Sequence, residues 1–272
     1  MRALAPFAVA LALAGCAAPP LDLAPAPDVP RKAAVANVPL IEQADYYCGP
    51  AALAMALRWT GQDVTQDQIA RLAFSPGARG TFQEDMIGAA RRRGALAVPL
   101  AGFGDLTAEI AAGHPVIVFQ NIGPSWLPTW HYAVVTAYDL QNRTVTLHSG
   151  QLSRTTMSLA RFERTWAGGD GWAMVVLDPG ALPATASERT VLDAAAGLER
   201  AGQARAAARA YQAGAARWSR NWLWQFGLGN ALYAVGDTTG ARRAWERAVA
   251  LDPTAPEPHQ NLAALRTELA GG

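Results

Sequence analysis

Residues 38–65, VPLIEQADYYCGPAALAMALRWTGQDVT, carry the most informative pattern of this chain. Pro50 suits the first turn of a helix, the residues after it are good helix formers, and Gly61 is typical of a helix end. Cys48 is therefore predicted at the N-terminus of a helix. Unpaired backbone N–H groups and the positive end of the helix dipole favour a thiolate there. We expect a lowered pKa and a nucleophilic thiol at Cys48.

A nucleophilic thiol needs a base and donors for an oxyanion. Among the four histidines of the chain, His131 is the best candidate for the base, because it opens the strand-like stretch HYAVVTAYD after a loop that contains Gly and Pro. Gln43, five residues before Cys48, is expected to donate to a developing oxyanion together with the backbone N–H of Cys48. The alternative is a small buried cysteine and a core histidine without a catalytic role.

A resemblance to a known family is carried by Gln43, by CGPAA at 48–52, by HPVIVF at 114–119 and by HYAVV at 131–135. These motifs resemble the bacteriocin-processing, double-glycine leader peptidases, which have a papain-like fold, and the resemblance covers residues 38–178. It implies an α+β papain-like cysteine peptidase domain. It also implies that Cys48 attacks, that His131 acts as general base and then acid, and that Gln43 helps to form the oxyanion hole.

The aspartate that orients the histidine in this family has no direct counterpart. It follows the histidine by about one strand and a turn, where this chain has TVTLHSG and offers His148 or Ser149. Either side chain can accept a hydrogen bond from an imidazole N–H, but neither supplies a negative charge. Asp139 is the nearest carboxylate and is expected to point into a turn. We include His148 in the predicted catalytic set and leave Ser149 and Asp139 as alternatives.

Residues 1–15 have the pattern of an export signal, with one Arg followed by an apolar run too short to span a bilayer as a mature helix. The run ends in Leu-Ala-Gly-Cys, which resembles the lipobox of bacterial lipoproteins and implies a lipid anchor at Cys16; the alternative is a plain secretory signal. Ala17 is not the aspartate of an inner-membrane retention signal, so we expect a cell-envelope protein anchored in the outer membrane and facing the periplasm. The Ala- and Pro-rich residues 16–36 are predicted to form an extended tether.

The remaining chain divides into a predicted peptidase domain at 37–180 and an all-α module at 188–272. A period of 34 residues aligns Leu198 with Leu232 and Tyr211 with Trp245, which resembles the tetratricopeptide repeat. Stacked repeats of this kind present binding surfaces, so a peptide or protein partner of the module is expected.

The composition mainly excludes certain classes of function and of binding site. With 23 basic and 22 acidic residues the chain lacks the charge excess of a nucleic-acid-binding protein. Its two cysteines and four histidines give no zinc-type pairing, so neither a metal nor a cofactor is expected. The predicted function is an anchored peptidase acting on a peptide or protein substrate. A non-catalytic assembly lipoprotein and an acyl or peptidyl transferase are the alternatives.

Overall fold

A computed structural model describes residues 21–150 and 152–271, so the predicted signal peptide and Cys16 lie outside the described residues. The strands are β1 (Lys32–Ala34), β2 (Leu96–Ala101), β3 (Val116–Asn121), β4 (Trp130–Asp139), β5 (Thr144–Ser149), β6 (Leu152–Ser158) and β7 (Trp172–Leu177). The helices are α1 (Cys48–Trp59), α2 (Gln66–Ala73), α3 (Gln83–Arg92), α4 (Gly102–Ala111), α5 (Leu159–Ala167), α6 (Glu188–Arg200), α7 (Ala204–Arg217), α8 (Trp222–Ala234), α9 (Thr238–Leu251) and α10 (Pro256–Gly271). Within the described residues, no helix is long and apolar enough to cross a membrane.

One antiparallel sheet organises the first part of the chain, in the order β2-β7-β3-β4-β5-β6, and β1 pairs with the far end of β4. Successive side chains of a strand point to opposite faces. Along β4, Tyr132 and Val134 therefore join the core cluster that contains the buried side of α1, whereas Ala133 and Val135 join the cluster that contains α4 and α5. Both faces of the sheet are therefore covered by helices.

The segment at 21–36 lies against this sheet instead of forming a free tether. The backbone N–H of Val35 donates to the carbonyl of Thr136 at 2.8 Å, and the hydroxyl of Tyr138 donates to the carbonyl of Pro30 at 2.9 Å. The prediction of an extended tether is therefore wrong from residue 21 onward. The reason is that β4 and its neighbours satisfy the polar backbone groups of a segment whose own sequence has no element-forming pattern.

The helices α6 to α10 form the C-terminal module, and its core is continuous with that of the sheet. Val191, Leu198 and Tyr211 belong to the same buried cluster as the strands. The connecting segment is also held, because the fully buried carboxylate of Glu109 accepts the backbone N–H of Ala184 at 2.7 Å. The module is thus packed on the first domain.

Small residues allow the helices of this module to approach closely, as the sequence suggests. A Cβ atom at Gly229 would collide with the indole of Trp245, which fills the space between α8 and α9. The Trp245 indole N–H donates to the amide oxygen of Asn230 at 3.1 Å, so the polar edge of the ring is satisfied in the interface.

Candidate active site

Cys48 is the first residue of α1, as predicted, and is a free, half-buried thiol. The first helical hydrogen bond runs from the N–H of Ala51 to the carbonyl of Tyr47 at 2.8 Å. The next residue, Gly49, has to be small, because a Cβ atom there would lie 2.9 Å from the Cβ of Thr81. The Cys-Gly pair therefore lets the start of the helix pack tightly while the thiol remains at its tip.

The surroundings of the Cys48 sulfur act on its ionisation in opposite directions. Backbone N–H groups of Tyr132, Gly49 and Cys48 itself point toward the sulfur and favour the thiolate, but burial has the larger effect and raises the pKa of the Cys48 thiol. The expectation of a lowered pKa is therefore wrong. The helix start is packed against the sheet, and the loss of hydration outweighs the favourable helix end. The resting group is the neutral thiol.

His131 is the second residue of β4 and is 7% exposed. Its Nε2 and the Oγ of Ser149 are joined by a hydrogen bond of 2.7 Å. Among the backbone and side-chain groups that the structure describes, none forms a hydrogen bond with the other ring nitrogen, Nδ1. Burial lowers the pKa of His131, so the imidazole is neutral at pH 7. Because the Cys48 sulfur faces the N–H of Tyr132, thiol and imidazole belong to the same end of β4.

The hydrogen-bond partner of His131 is Ser149, and the assignment of His148 to the catalytic set is not supported by the geometry. Adjacent residues of β5 point to opposite faces of the sheet. His148 stands opposite Val134 and lies in a small cavity that Thr136 and Arg154 also line. Burial and the charge of Arg154 lower the pKa of His148. His148 is therefore a buried neutral side chain beneath the site.

The third alternative, Asp139, is at the other end of β4 from His131. Its carboxylate forms an ion pair with Lys32 at 3.5 Å and accepts the backbone and side-chain N–H groups of Asn142 at 2.9 Å. This confirms the expectation that Asp139 points into the turn after β4. It supplies no charge to the imidazole.

Gln43 lies at the same end of the sheet as Ser149. A Cβ atom on Gly150, the residue after Ser149, would be 4.0 Å from Cδ of Gln43. Gly150 has φ +64°, a left-handed conformation that glycine adopts without strain. The carboxamide of Gln43 is therefore beside the strand end that holds the His131 partner.

A side chain that the sequence did not indicate fixes the backbone on both sides of Gln43. The amide of Gln66 donates to the carbonyl of Glu42 at 3.0 Å and accepts the N–H of Ala44 at 3.1 Å. Gln66 is itself fixed, because it is the first residue of α2 after the capping box formed by Thr65. We call this pair of hydrogen bonds the Gln66 clamp. It joins residues more than 20 positions apart in the chain, so no local sequence pattern predicts it.

The turn between Gln43 and Cys48 stores some backbone strain. Tyr46 has φ +64°, which is uncommon for a residue with a bulky side chain. Its ring is held by Arg79, whose guanidinium carbon lies 5.9 Å from the ring centroid. Tyr47 packs on Phe74 with ring centroids 5.2 Å apart. These contacts fix the turn that returns the chain from Gln43 to the helix start.

The arrangement combines a thiol, a neutral imidazole and backbone N–H groups at the end of one sheet. Such a set can carry out acyl transfer through a thioester. In the described part of the chain, no group of three or more His, Cys, Asp or Glu side chains is arranged to hold a metal ion.

Comparison with known proteins adds a family. Residues 35–170 match the model of the Peptidase_C39 like family, and residues 229–268 match a TPR repeat model. An uncharacterized protein of Methanothermobacter thermautotrophicus is 34% identical over 132 residues, which are 48% of this chain and 84% of that protein.

Three solved structures resemble parts of the chain. A protein of Bacillus anthracis described as a C39-like peptidase is 19% identical, with a TM-score of 0.46 over 54% of this chain and 97% of that one. The peptidase domain of Streptococcus ComA, a bifunctional ABC transporter of a quorum-sensing pathway, is 26% identical, with a TM-score of 0.42 over 52% and 98%. A double glycine motif protease from an AMS/PCAT transporter, solved with its leader peptide, is 19% identical, with a TM-score of 0.42 over 53% and 93%.

These findings confirm the predicted architecture, a mixed α/β C39-like peptidase domain with an antiparallel sheet followed by a helical region with a TPR repeat. The family model matches half of the chain, and the Methanothermobacter relative is matched over most of its own length. The chain therefore belongs to the Peptidase_C39 like family.

Proposed function

We propose that this protein is a membrane-anchored cysteine peptidase of the cell envelope, with Cys48 as nucleophile and His131 as general base. The observation that carries the proposal is the geometry at the start of β4. There the Cys48 sulfur faces the backbone of the residue that follows His131, and Ser149 holds Nε2 of the imidazole. The proposed resting tautomer has the proton on Nε2, donated to Ser149, and the lone pair on Nδ1.

Acylation starts from the neutral pair, because burial favours the uncharged form of each group. The Cys48 sulfur attacks the peptide carbonyl carbon while its proton passes to Nδ1 of His131. The carbonyl electron pair moves onto oxygen, which accepts hydrogen bonds from the Gln43 amide and from a backbone N–H at the helix start. When the C–N bond breaks, the leaving amine takes the proton from His131, and a thioester on Cys48 remains.

Deacylation reverses these roles. His131 takes a proton from water as the water oxygen attacks the thioester carbon, and the same donors stabilise the second oxyanion. Breaking the C–S bond returns the proton to the Cys48 sulfur and releases a carboxylic acid. An amine that reaches the thioester before water would give peptidyl transfer. The product ratio with and without added amine separates these two reactions.

The experiment that tests the proposal compares the wild type with Cys48→Ala in a periplasmic extract and identifies the cleaved peptides by mass spectrometry. New peptide termini that appear only with the wild type support a peptidase and reveal its substrates. Identical peptide sets in both samples would contradict the proposal that the protein is a peptidase.

Ser149 gives a prediction about the orienting group. We expect Ser149→Ala to lower kcat roughly fivefold, because a neutral hydrogen bond contributes about 1 kcal/mol, far less than the 10⁴-fold that loss of an orienting carboxylate can cost. KM should change little. The matched control is His148→Asn on the same strand, which should leave kcat unchanged. A kcat that falls with His148→Asn and not with Ser149→Ala would reverse the assignment of the two residues.

Gln66 gives a prediction about the oxyanion donors. A peptidyl chloromethyl ketone forms an oxyanion when it reacts with the thiol, whereas iodoacetamide reacts by direct displacement. We expect Gln43→Ala to slow inactivation by the ketone roughly 10²-fold. Gln66→Ala should slow it by a smaller factor, and neither change should alter the rate with iodoacetamide.

The double variant separates positioning from folding effects. If Gln66 acts through Gln43, Gln66→Ala should have no further effect on the ketone rate in the Gln43→Ala background. A separate, additive loss in the double variant would contradict the positioning role.

The second candidate is a non-catalytic lipoprotein that binds a client through the peptidase fold and the repeats. It is favoured by two features: the raised pKa of the Cys48 thiol, and the neutral Ser149 where the family has a carboxylate. An activity-based thiol probe distinguishes the two candidates. Labelling of the folded protein at Cys48 favours catalysis, whereas absence of labelling favours the binding protein.

The proposed location is the outer membrane facing the periplasm, with a lipid on Cys16. The sequence around Cys16 and the non-acidic residue Ala17 support this location. The proposed substrate is a peptide or protein, and the proposed partner surface is the helical module. Intact-mass measurement of the mature protein tests the anchor, since a lipidated Cys16 adds a diacylglycerol.

A further inference from the structure

The loop between β3 and β4 carries large apolar side chains into solvent. Trp126 is 80% exposed, Leu127 60%, Trp130 52% and Ile122 51%. We call Ile122, Trp126 and Leu127 the loop tip, because Trp130 belongs to β4 and stacks on Phe119. A cluster of exposed apolar residues marks a surface that binds a protein, a ligand or a membrane.

Hydrogen bonds of the backbone and of the Asn121 side chain hold the loop, and its apolar side chains take no part in them. The amide oxygen of Asn121 accepts the backbone N–H groups of Gly123 at 3.1 Å and of Thr129 at 2.9 Å. The N–H of Ile122 donates to the carbonyl of Thr129 at 2.9 Å. Since these bonds close the base of the loop, the fold does not require tryptophan or leucine at its tip.

The N-terminal segment begins at the same end of the sheet. The Leu21 side chain packs on Gly171, where a Cβ atom would lie 3.1 Å from a Leu21 methyl group. Gly171 directly precedes β7, whose Ala173 pairs with Val118 near the end of β3. The loop tip and Leu21 are therefore both at the end of the sheet where His131 lies.

The chain between Leu21 and the anchor is short. Cys16 precedes Leu21 by five residues, and five extended residues span at most about 18 Å. A free tether over 16–36 would let the domain rotate and move away from the bilayer. With the segment packed from residue 21 onward, a lipid on Cys16 holds the β3–β4 end of the sheet near the membrane surface.

We propose that the loop tip docks into the interfacial layer of the lipid bilayer that carries the anchor, so that the catalytic end of the domain faces the membrane. This proposal rests on the lipid anchor at Cys16 proposed above. Tryptophan is the side chain that most favours the membrane interface, because its ring is apolar and its N–H is polar. The anchor supplies affinity, and the loop tip supplies orientation.

The test uses the mature protein carrying Cys48→Ala, reconstituted in phosphatidylcholine vesicles with and without brominated acyl chains. Bromine quenches the fluorescence of a tryptophan that enters the bilayer. We expect bromolipid to quench this parent protein, and Trp126→Phe to remove most of the lipid-dependent quenching. Trp222→Phe, on α8 of the helical module, is the matched control and should leave the quenching unchanged.

The possible outcomes separate the loop from the anchor. If the protein is lipidated by intact mass but Trp126→Phe leaves the quenching unchanged, the docking proposal is overturned and the anchor stands. If Trp126→Phe slows cleavage of a soluble peptide by the active protein and does not change quenching, the loop is part of the substrate groove, and membrane docking is again overturned. A mature protein without lipid overturns the anchor and the docking proposal together.

Discussion

Replacing Cys48 by alanine is expected to lower peptide cleavage by roughly 10⁵-fold or more, because no other group can form the thioester. The residual activity should not depend on His131, since a base without a nucleophile has little to activate. The measurement is the hydrolysis rate of a peptide identified in the periplasmic comparison. Thermal unfolding should change little, because the substitution removes one sulfur atom at the tip of a helix and alanine is a strong helix former.

Cys48→Ser is the matched variant for this prediction. It keeps a hydroxyl at the same place, but an alcohol beside a neutral imidazole is a much weaker nucleophile than a thiol, and we expect it to be nearly as inactive as the alanine variant. If the alanine variant cleaves the peptide at a rate close to that of the wild type, the cleavage is carried out by another group of the protein or by a contaminating peptidase.

Replacing His131 by alanine is expected to lower kcat/KM by roughly 10² to 10⁴-fold, the usual contribution of a general base. The pH profile carries the more specific prediction. Burial lowers the pKa of His131 below its usual 6.5, so the imidazole gains a proton and loses its function only as the pH falls through that lowered value. Burial raises the pKa of Cys48 above 9.0, so no decline is expected before strongly alkaline pH.

The wild type should therefore gain activity with rising pH through a single pKa below 6.5 and then remain level to about pH 9. In His131→Ala this acid limb should disappear, and added imidazole should restore part of the activity. Ser149→Ala should keep the limb. An acid limb that persists unchanged in His131→Ala would assign the titration to another group.

The elements that carry the fold could be predicted where one pattern dominates. The apolar spacing and Pro50 identified the helix at Cys48, and the β-branched run after His131 identified β4. Several elements of the peptidase domain were not predicted, among them α2 and β6. Their sequences have short or mixed patterns, and they are stabilised by packing on α1 and by pairing with β5. The 34-residue period predicted the helical module, because Tyr211 and Trp245, which are 34 residues apart, are both buried between helices.

The sequence predicted which residue types form the site, but not how their side chains are oriented. Cys48, His131 and Gln43 were indicated by local motifs, and the structure brings all of them to the same end of the sheet. The choice between His148 and Ser149 depended on the face to which each side chain points. That depends on the pairing of β5 with β4, whose register shifts at a β-bulge between Val135 and Ala137 that the sequence does not indicate.

The pKa of the thiol shows a second limit of sequence reasoning. A helix N-terminus was expected to lower it, and burial proved the larger effect. Burial is a property of the packed sheet and helix, which no local motif reports. The same applies to the Gln66 clamp and to the packed segment at 21–36, where distant parts of the chain satisfy each other's backbone groups.

The proposed catalysis depends on activation of the Cys48 thiol by the imidazole of His131 in the folded protein. The most direct test is the rate at which a peptidyl acyloxymethyl ketone forms a covalent adduct, followed by intact mass for the wild type and for His131→Ala, each native and in urea. One adduct on Cys48, formed rapidly only by the native wild type, is the predicted result. Equal rates for native wild type and native His131→Ala would contradict the account, since the thiol would then react without its base.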